Sequence, residues 1–197
     1  MITHFKPALI MLFIWTLLTG VVYPIAVTGL AQIFFPNQAN GSLILGQDGK
    51  AAGSKLVGQA FSDPKYFWGR LSDTGDFSYN AFNAATLTGS SGSNYGPMNP
   101  ALLKAVQARI DALKAADPGN TSPIPVDLVT ASGSGLDPDI SIAAALYQIS
   151  RVAKARGMSE QAVHDLVNQY TTGRQLGILG EPTVNVLLLN LALDGIK

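Results

Sequence analysis

The chain contains no cysteine, which excludes a disulfide framework, thiolate catalysis and cysteine-ligated zinc. Imidazole is almost as scarce. His4 and His164 are the only histidines in 197 residues; one stands beside an apolar run and the other in a helical pattern, so no histidine-rich metal site is expected. Neither sign of charge is in excess: 13 Lys and Arg balance 13 Asp and Glu, with no block of like charge. The basic footprint of a nucleic-acid binder is therefore missing, and nucleic acid is not expected as a partner. A polybasic cluster for anionic lipid is missing too, because Lys6 stands alone before the apolar run.

The longest gap in charge is also the strongest positive signal. Between Lys6 and Asp48 there is no Asp, Glu, Lys or Arg, and the apolar run Ala8 to Phe35, as a helix of 1.5 Å rise per residue, reaches about 42 Å. A bilayer core is about 30 Å thick, so the run can span with tilt. Lys6 and the small residues Gly29-Leu30-Ala31 fit a cleaved signal peptide as well. The apolar run continues past that point to Phe35, longer than a signal core of about 7–15 residues, which favours a retained anchor in the lipid bilayer. The expected organisation is an anchor over residues 1–36, its helix at about 8–35, followed by one soluble mixed α/β (α+β) domain over 37–197. The α-amino group and Lys6 favour a cytoplasmic N-terminus and an external domain.

Thr16, Gly20, Pro24 and Thr28 recur every four residues of this run, with Thr19 and Tyr23 adjoining, and fall on one helical side. Small and hydroxyl side chains let helices approach closely in lipid, so Thr16, Gly20, Tyr23 and Pro24 are candidates for packing against a partner helix. Pro24 should bend the helix, since it cannot donate to the carbonyl four residues back. With no ionisable residue in the span, any ion path belongs to partners.

Past the run, Asn37–Lys55 carries four glycines and reads as a loop or short hairpin, with Leu43-Ile44-Leu45 a strand and Gln47-Asp48-Gly49-Lys50 its turn. The aromatic cluster Tyr66-Phe67-Trp68 follows the turn residues Ser62-Asp63-Pro64. It suits core packing, while Trp68 with Arg70 nearby equally suits a partner-packing anchor. Asp73–Tyr95 is a long Ser/Gly/Asn/Thr tract. Asn99 caps a helix that begins at Pro100, runs to about Ala116 and turns Leu102, Leu103, Val106, Ile110 and Leu113 inward. Pro123–Thr130 reads as a strand. Ser141 caps a helix closed by Gly157, with Ile142, Leu146 and Ile149 inward and Arg151, Lys154 and Arg156 near its C-terminal dipole. A further helix starts at Ser159, and Val184–Leu193 reads as helix rather than strand.

Chemistry-bearing patterns are few. The Gly/Ser loops at Ser91-Gly92 and Ser132-Gly133 are generic anion candidates, but no lysine follows a glycine in them as a Walker loop requires. Ala-Ser-Gly-Ser-Gly at 131–135 misses the G-x-S-x-G elbow, and His164 reads as a solvated helix residue, so no hydrolytic triad is expected. Asp137 and Asp139 flank Pro138 and suit capping better than cation binding.

Leu128–Pro138, Arg151–Arg156, Val184-Asn185-Val186 and Leu189–Asp194, together with Phe67-Trp68-Gly69-Arg70, the Ser90-to-Asn99 loop and the apolar N-terminal run, resemble the C subunit of the Kdp potassium-transporting ATPase. The resemblance covers nearly the whole chain. It implies a bacterial inner-membrane complex in which a channel-like subunit selects potassium and a P-type subunit hydrolyses ATP. This single-span subunit would be required for assembly and activity, with no catalytic residue, no metal and no cofactor of its own, and ATP reached only through or with the hydrolytic partner. No Asp-Lys-Thr-Gly phosphorylation segment is present. The family is also described as a catalytic chaperone that raises ATP affinity through a transient ternary complex, for which Ser91, Gly92, Ser132 and Gly133 are the candidates. A domain outside the membrane would not meet ATP, so the resemblance leaves two mechanisms open.

Overall fold

A computed structural model describes residues 4–46, 48–72 and 92–195. They fall into two compact units divided between Leu43 and Ile44. The first is a continuous apolar helix over Phe5–Phe34, 30 residues and long enough to cross a membrane. It consists of α1 (Phe5–Leu17), a π-turn over Leu18–Val22 and α2 (Tyr23–Phe34). Where a proline bend is expected the structure places the π-turn, in which the Tyr23 N–H reaches the carbonyl of Leu18, five residues back. Pro24 offers no N–H, and the widened turn before it accommodates the break in the ladder. Thr19 Oγ1 returns to the Trp15 carbonyl at 2.6 Å. A short α3 (Pro36–Ala39) follows, held by reciprocal amide bonds between Gln32 and Asn40 at 3.2 and 3.3 Å.

From the division onward, β1 (Leu43–Leu45) pairs with β2 (Ala51–Ser54) in the expected small hairpin. The main sheet is antiparallel, ordered β3 (Asp139–Ser141), β5 (Thr183–Asn185), β4 (Thr171–Thr172), with Ile140 opposite Val184 and Thr172 opposite Thr183. Four helices accompany it: α4 (Pro100–Ala116), α5 (Ile142–Arg156), α6 (Glu160–Gln169) and α7 (Val186–Leu193). Each start is written locally. The side chains of Asn99, Ser141, Ser159 and Asn185 accept from backbone N–H groups of the first turn, satisfying donors that a helix leaves orphaned. Gly157 closes α5 in the left-handed region at φ 65°, which glycine adopts without steric cost. Phe67, Leu128, Val152, Val163, Val184 and Leu189 form the centre of one core.

Several expectations change in the folded chain. Pro123–Thr130 is not a strand: Val126–Leu128 makes a 3₁₀ turn, because the Asp127 carboxylate receives both the N–H and the hydroxyl of Ser141, at 2.8 and 3.1 Å. Val184–Leu193 is strand before it is helix. Asn185 ends β5 opposite Asp139 and then caps α7. The buried face of α4 centres on its later turns, so Leu113 is buried while Leu103 remains exposed. Leu146 is exposed, and α5 instead turns Ala144, Ala145, Gln148 and Arg151 inward.

Candidate functional site

The Phe67–Arg70 segment lies inside the second unit. Phe67 is fully buried and Trp68 only 6% exposed, yet neither belongs to a strand, and their peptide groups need partners. Two side-chain amides supply them. Asn190 from α7 accepts from the Phe67 N–H at 2.8 Å and donates to its carbonyl at 2.9 Å. Gln148 from α5 does the same for Trp68, at 2.8 and 3.1 Å. Each amide thus imitates one rung of a β-ladder.

Three arginines complete the setting. Arg109 and Arg151 place their guanidinium carbons 4.9 and 4.6 Å from the indole centroid of Trp68, a cation–π arrangement strengthened by desolvation. Arg151 donates to the carbonyls of Pro64 and Tyr66 and, at 2.6 Å, to Gln148 Oε1. Burial pulls its pKa down to about 10, so it remains charged at neutral pH. Its place in the last turns of α5 suggests only a helix-dipole cation; the fold draws it into the core to bind the turn before Trp68. Arg70 donates to Asp137 Oδ2 at 2.9 Å and to the Ala131 carbonyl at 3.2 Å. Trp68 and Arg70 therefore make their contacts within this unit. Asp137 is held by that ion pair. Asp139 accepts from Asn185 at 3.0 Å, and burial raises its carboxyl pKa despite this bond.

The Gly/Ser loops, about 40 residues apart in sequence, are brought together. A Cβ on Gly92 would stand 2.6 Å from the carbonyl oxygen of Gly133, so only glycine permits this approach. Ser91 lies outside the described residues. The Ser132 side chain is buried and accepts from the Gly135 N–H at 2.7 Å, while Ser132 N–H donates to the Leu71 carbonyl at 2.9 Å. Ser134 Oγ accepts from Leu136 N–H at 3.1 Å, and Ser72 donates to the Gly135 carbonyl at 2.7 Å. These hydroxyls shape the turn. A cleft of about 340 Å³ lies alongside, lined by Ser93, Tyr95, Leu102, Arg109 and Ala131 among others. Arg109 in its wall donates to the carbonyls of Leu128 and Gly69, both at 3.0 Å. His164 bonds Asn168 within α6 at 3.0 Å.

Thr16, Gly20, Tyr23 and Pro24 all lie on the exposed surface of the apolar helix, and a Cβ on Gly20 would meet nothing within 4 Å. Gln148 and Asn190 carry no motif of their own in the sequence, although both complete buried peptide groups in the fold. A polar residue on the inward side of each apolar helix was the available signal.

The model of the family described as "K+-transporting ATPase, c chain" matches residues 5–195. A protein of Methylococcus capsulatus named potassium-transporting ATPase KdpC subunit is 64% identical over 197 residues, the whole of both chains. One of the same name from Herpetosiphon aurantiacus is 64% identical over 195 residues, 99% of this chain and 97% of that one. A third, from Sorangium cellulosum, is 57% identical over 197 residues and all of both chains. Matched along almost its entire length, the chain belongs to the KdpC family of K+-transporting ATPase c chains.

Proposed function

We propose that this chain is the accessory, non-catalytic subunit of a bacterial potassium-transporting ATPase complex, needed for the assembly and stability of a channel-like potassium-binding subunit and a P-type ATP-hydrolysing subunit. The observation that carries this reading is the 30-residue apolar helix, long and apolar enough to cross a membrane. Such a surface is stable only in lipid or against other helices. In this reading the helix crosses the inner membrane once, with the N-terminus cytoplasmic and the folded domain periplasmic. Thr16, Gly20, Tyr23 and Pro24 meet a partner helix, and the π-turn sets the register of that face.

A second mechanism, raising the ATP affinity of the hydrolytic subunit, has one observation in its favour. Gly92 and Gly133 meet, which draws the two candidate loops to one place, where ATP would be held jointly with the partner. Against it, the hydroxyls of Ser132 and Ser134 serve their own turn.

Substitution and labelling separate the two. Gly20→Leu fills the open face and should reduce recovery of the other subunits with this chain; undiminished recovery would refute that face. Ser132→Ala should leave the ATP concentration for half-maximal activity unchanged, whereas a rise with intact assembly selects the ATP mechanism. Lys104 is exposed on α4, and Lys104→Cys in this cysteine-free chain should react with an impermeant maleimide once the outer membrane alone is opened. Labelling that requires breach of the inner membrane would refute the external placement.

A further inference from the structure

The chain leaves the apolar helix through a folded elbow whose residues all belong to the first unit. Phe35 breaks the helix at φ −138° and ψ 52°, and α3 restarts at Pro36, which needs no donor at a first helical position. Phe35 still donates its N–H to the Ala31 carbonyl at 2.8 Å. Ala39, Asn40, Gly41 and Ser42 return theirs to the carbonyls of Phe35, Pro36, Gln38 and Asn37, at 2.9, 3.1, 3.0 and 2.9 Å. Side chains close the turn as well: the amides of Gln32 and Asn40 bond each other in both directions at 3.3 and 3.2 Å, and Asn40 Nδ2 also reaches the Pro36 carbonyl at 2.6 Å. Beside this clasp Phe34 and Phe35 are 67% and 60% exposed.

Helix length places the elbow at a membrane boundary. The 30 residues of Phe5–Phe34 rise about 45 Å at 1.5 Å each, against about 30 Å for the hydrocarbon core and about 40–45 Å with both headgroup layers. Lys6 is the last charge before the apolar run and stays in one polar layer, so Phe34 and Phe35 come out at the other. No Asp, Glu, Lys or Arg lies between Lys6 and Asp48, and nothing in the elbow resists partial desolvation. In water, two exposed phenyl rings are unfavourable and an exposed amide pair gains little. Where the dielectric falls, the rings are buried and a pair with matched polar atoms strengthens. N–H groups tied back to the elbow's own carbonyls are also what a segment at the edge of hydrocarbon requires.

We propose that the α2–α3 elbow is an interfacial lipid anchor: Phe34 and Phe35 lie among the acyl chains just beneath the headgroups, and the Gln32–Asn40 clasp holds the turn at that depth. The bilayer itself covers this apolar surface, because the elbow continues the spanning helix without a break in the chain. This rests on the spanning reading of Phe5–Phe34 given above, and adds to it a fixed depth and a fixed exit for the chain.

Photochemical labelling tests the elbow in native membranes that hold the complete complex. Phe34 and Phe35 are replaced one at a time by p-benzoylphenylalanine, an aromatic group that keeps the site apolar, and Val21 carries the same group as a control. After irradiation, mass spectrometry of the recovered chain identifies what each position touched. The expected adducts at 34 and 35 are with phospholipid, bonded to acyl carbons near the glycerol. An adduct with another subunit at either position overturns the proposal. So does the absence of an adduct at either position while Val21 yields one, since a benzophenone facing water leaves no stable product. If Val21 also yields none, with lipid or with protein, the spanning reading fails and the elbow with it. Gln32→Leu opens the clasp without adding charge and should spread the acyl attachment points of position 35 along the chain; an unchanged distribution overturns the hold on depth.

Discussion

Replacing Gln148 by methionine tests the claim that a side-chain amide stands in for a β-strand. The two side chains have similar volume, so almost no cavity is introduced and the loss is polar. Three groups lose their partner: the Trp68 N–H, the Trp68 carbonyl and an N–H of Arg151. An unsatisfied buried group costs about 1–3 kcal/mol. Some relaxation reduces the sum, and about 3–5 kcal/mol is expected, a large share of the roughly 5–15 kcal/mol that holds a domain together. With a urea dependence of about 2 kcal/mol/M the unfolding midpoint should fall by about 1.5–2.5 M. Trp68 reports the transition by its fluorescence in a Trp15→Phe background, which removes the second indole. A midpoint within about 0.25 M of the parent, equivalent to roughly 0.5 kcal/mol, would mean that the Gln148 contacts are incidental and the ladder-mimic argument is wrong.

The loop contact makes a paired prediction: Gly92→Ala must push a methyl against the Gly133 carbonyl and should cost about 1–3 kcal/mol, while Gly133→Ala, with nothing within 4 Å of its added methyl, should stay within about 0.5 kcal/mol. Equal melting temperatures would refute that asymmetry. Asp139 supplies a pH dependence. Burial raises its folded-state pKa above 3.8, so its neutral form is favoured in the fold, and its contribution is fully present below the unfolded value and lost as pH rises through the raised one. The stability of Asp139→Asn relative to the parent should therefore increase between pH 4 and pH 7; a constant difference in urea midpoint across that range would contradict it. Truncating Arg156 removes its 2.8 Å ion pair with Asp194 and its bonds to the Lys65 and Leu193 carbonyls. Arg156→Ala should lower stability by about 1–3 kcal/mol, and Arg156→Lys, which cannot reproduce the fork, should recover less than half of it; full recovery would assign the effect to charge alone.

What the sequence determined by itself was local. The charge-free run forms one continuous helix within Phe5–Phe34, since a long and predominantly apolar stretch satisfies its backbone bonds within itself, as any segment able to cross a bilayer must. Asn99, Ser141 and Ser159 cap their helices and Gly157 ends α5 as their chemistry requires, because a cap reaches only two or three residues. The tertiary structure decided whatever depended on distant partners. Gln148 lies 80 residues from Trp68 and Asn190 123 residues from Phe67, so no periodicity announces that these amides complete the peptide groups of an unpaired segment. Arg151 fits the dipole end of its helix in sequence, yet Trp68 and the carbonyls of Pro64 and Tyr66 make the core its place. The Pro123–Thr130 run has strand-like residues, but Ser141 captures Asp127 and turns the chain instead. Gly92 and Gly133 look like separate flexible loops until the fold presses one against the other. Local patterns express the preferences of neighbouring residues, whereas a buried polar group must find its partner wherever the folded chain provides one.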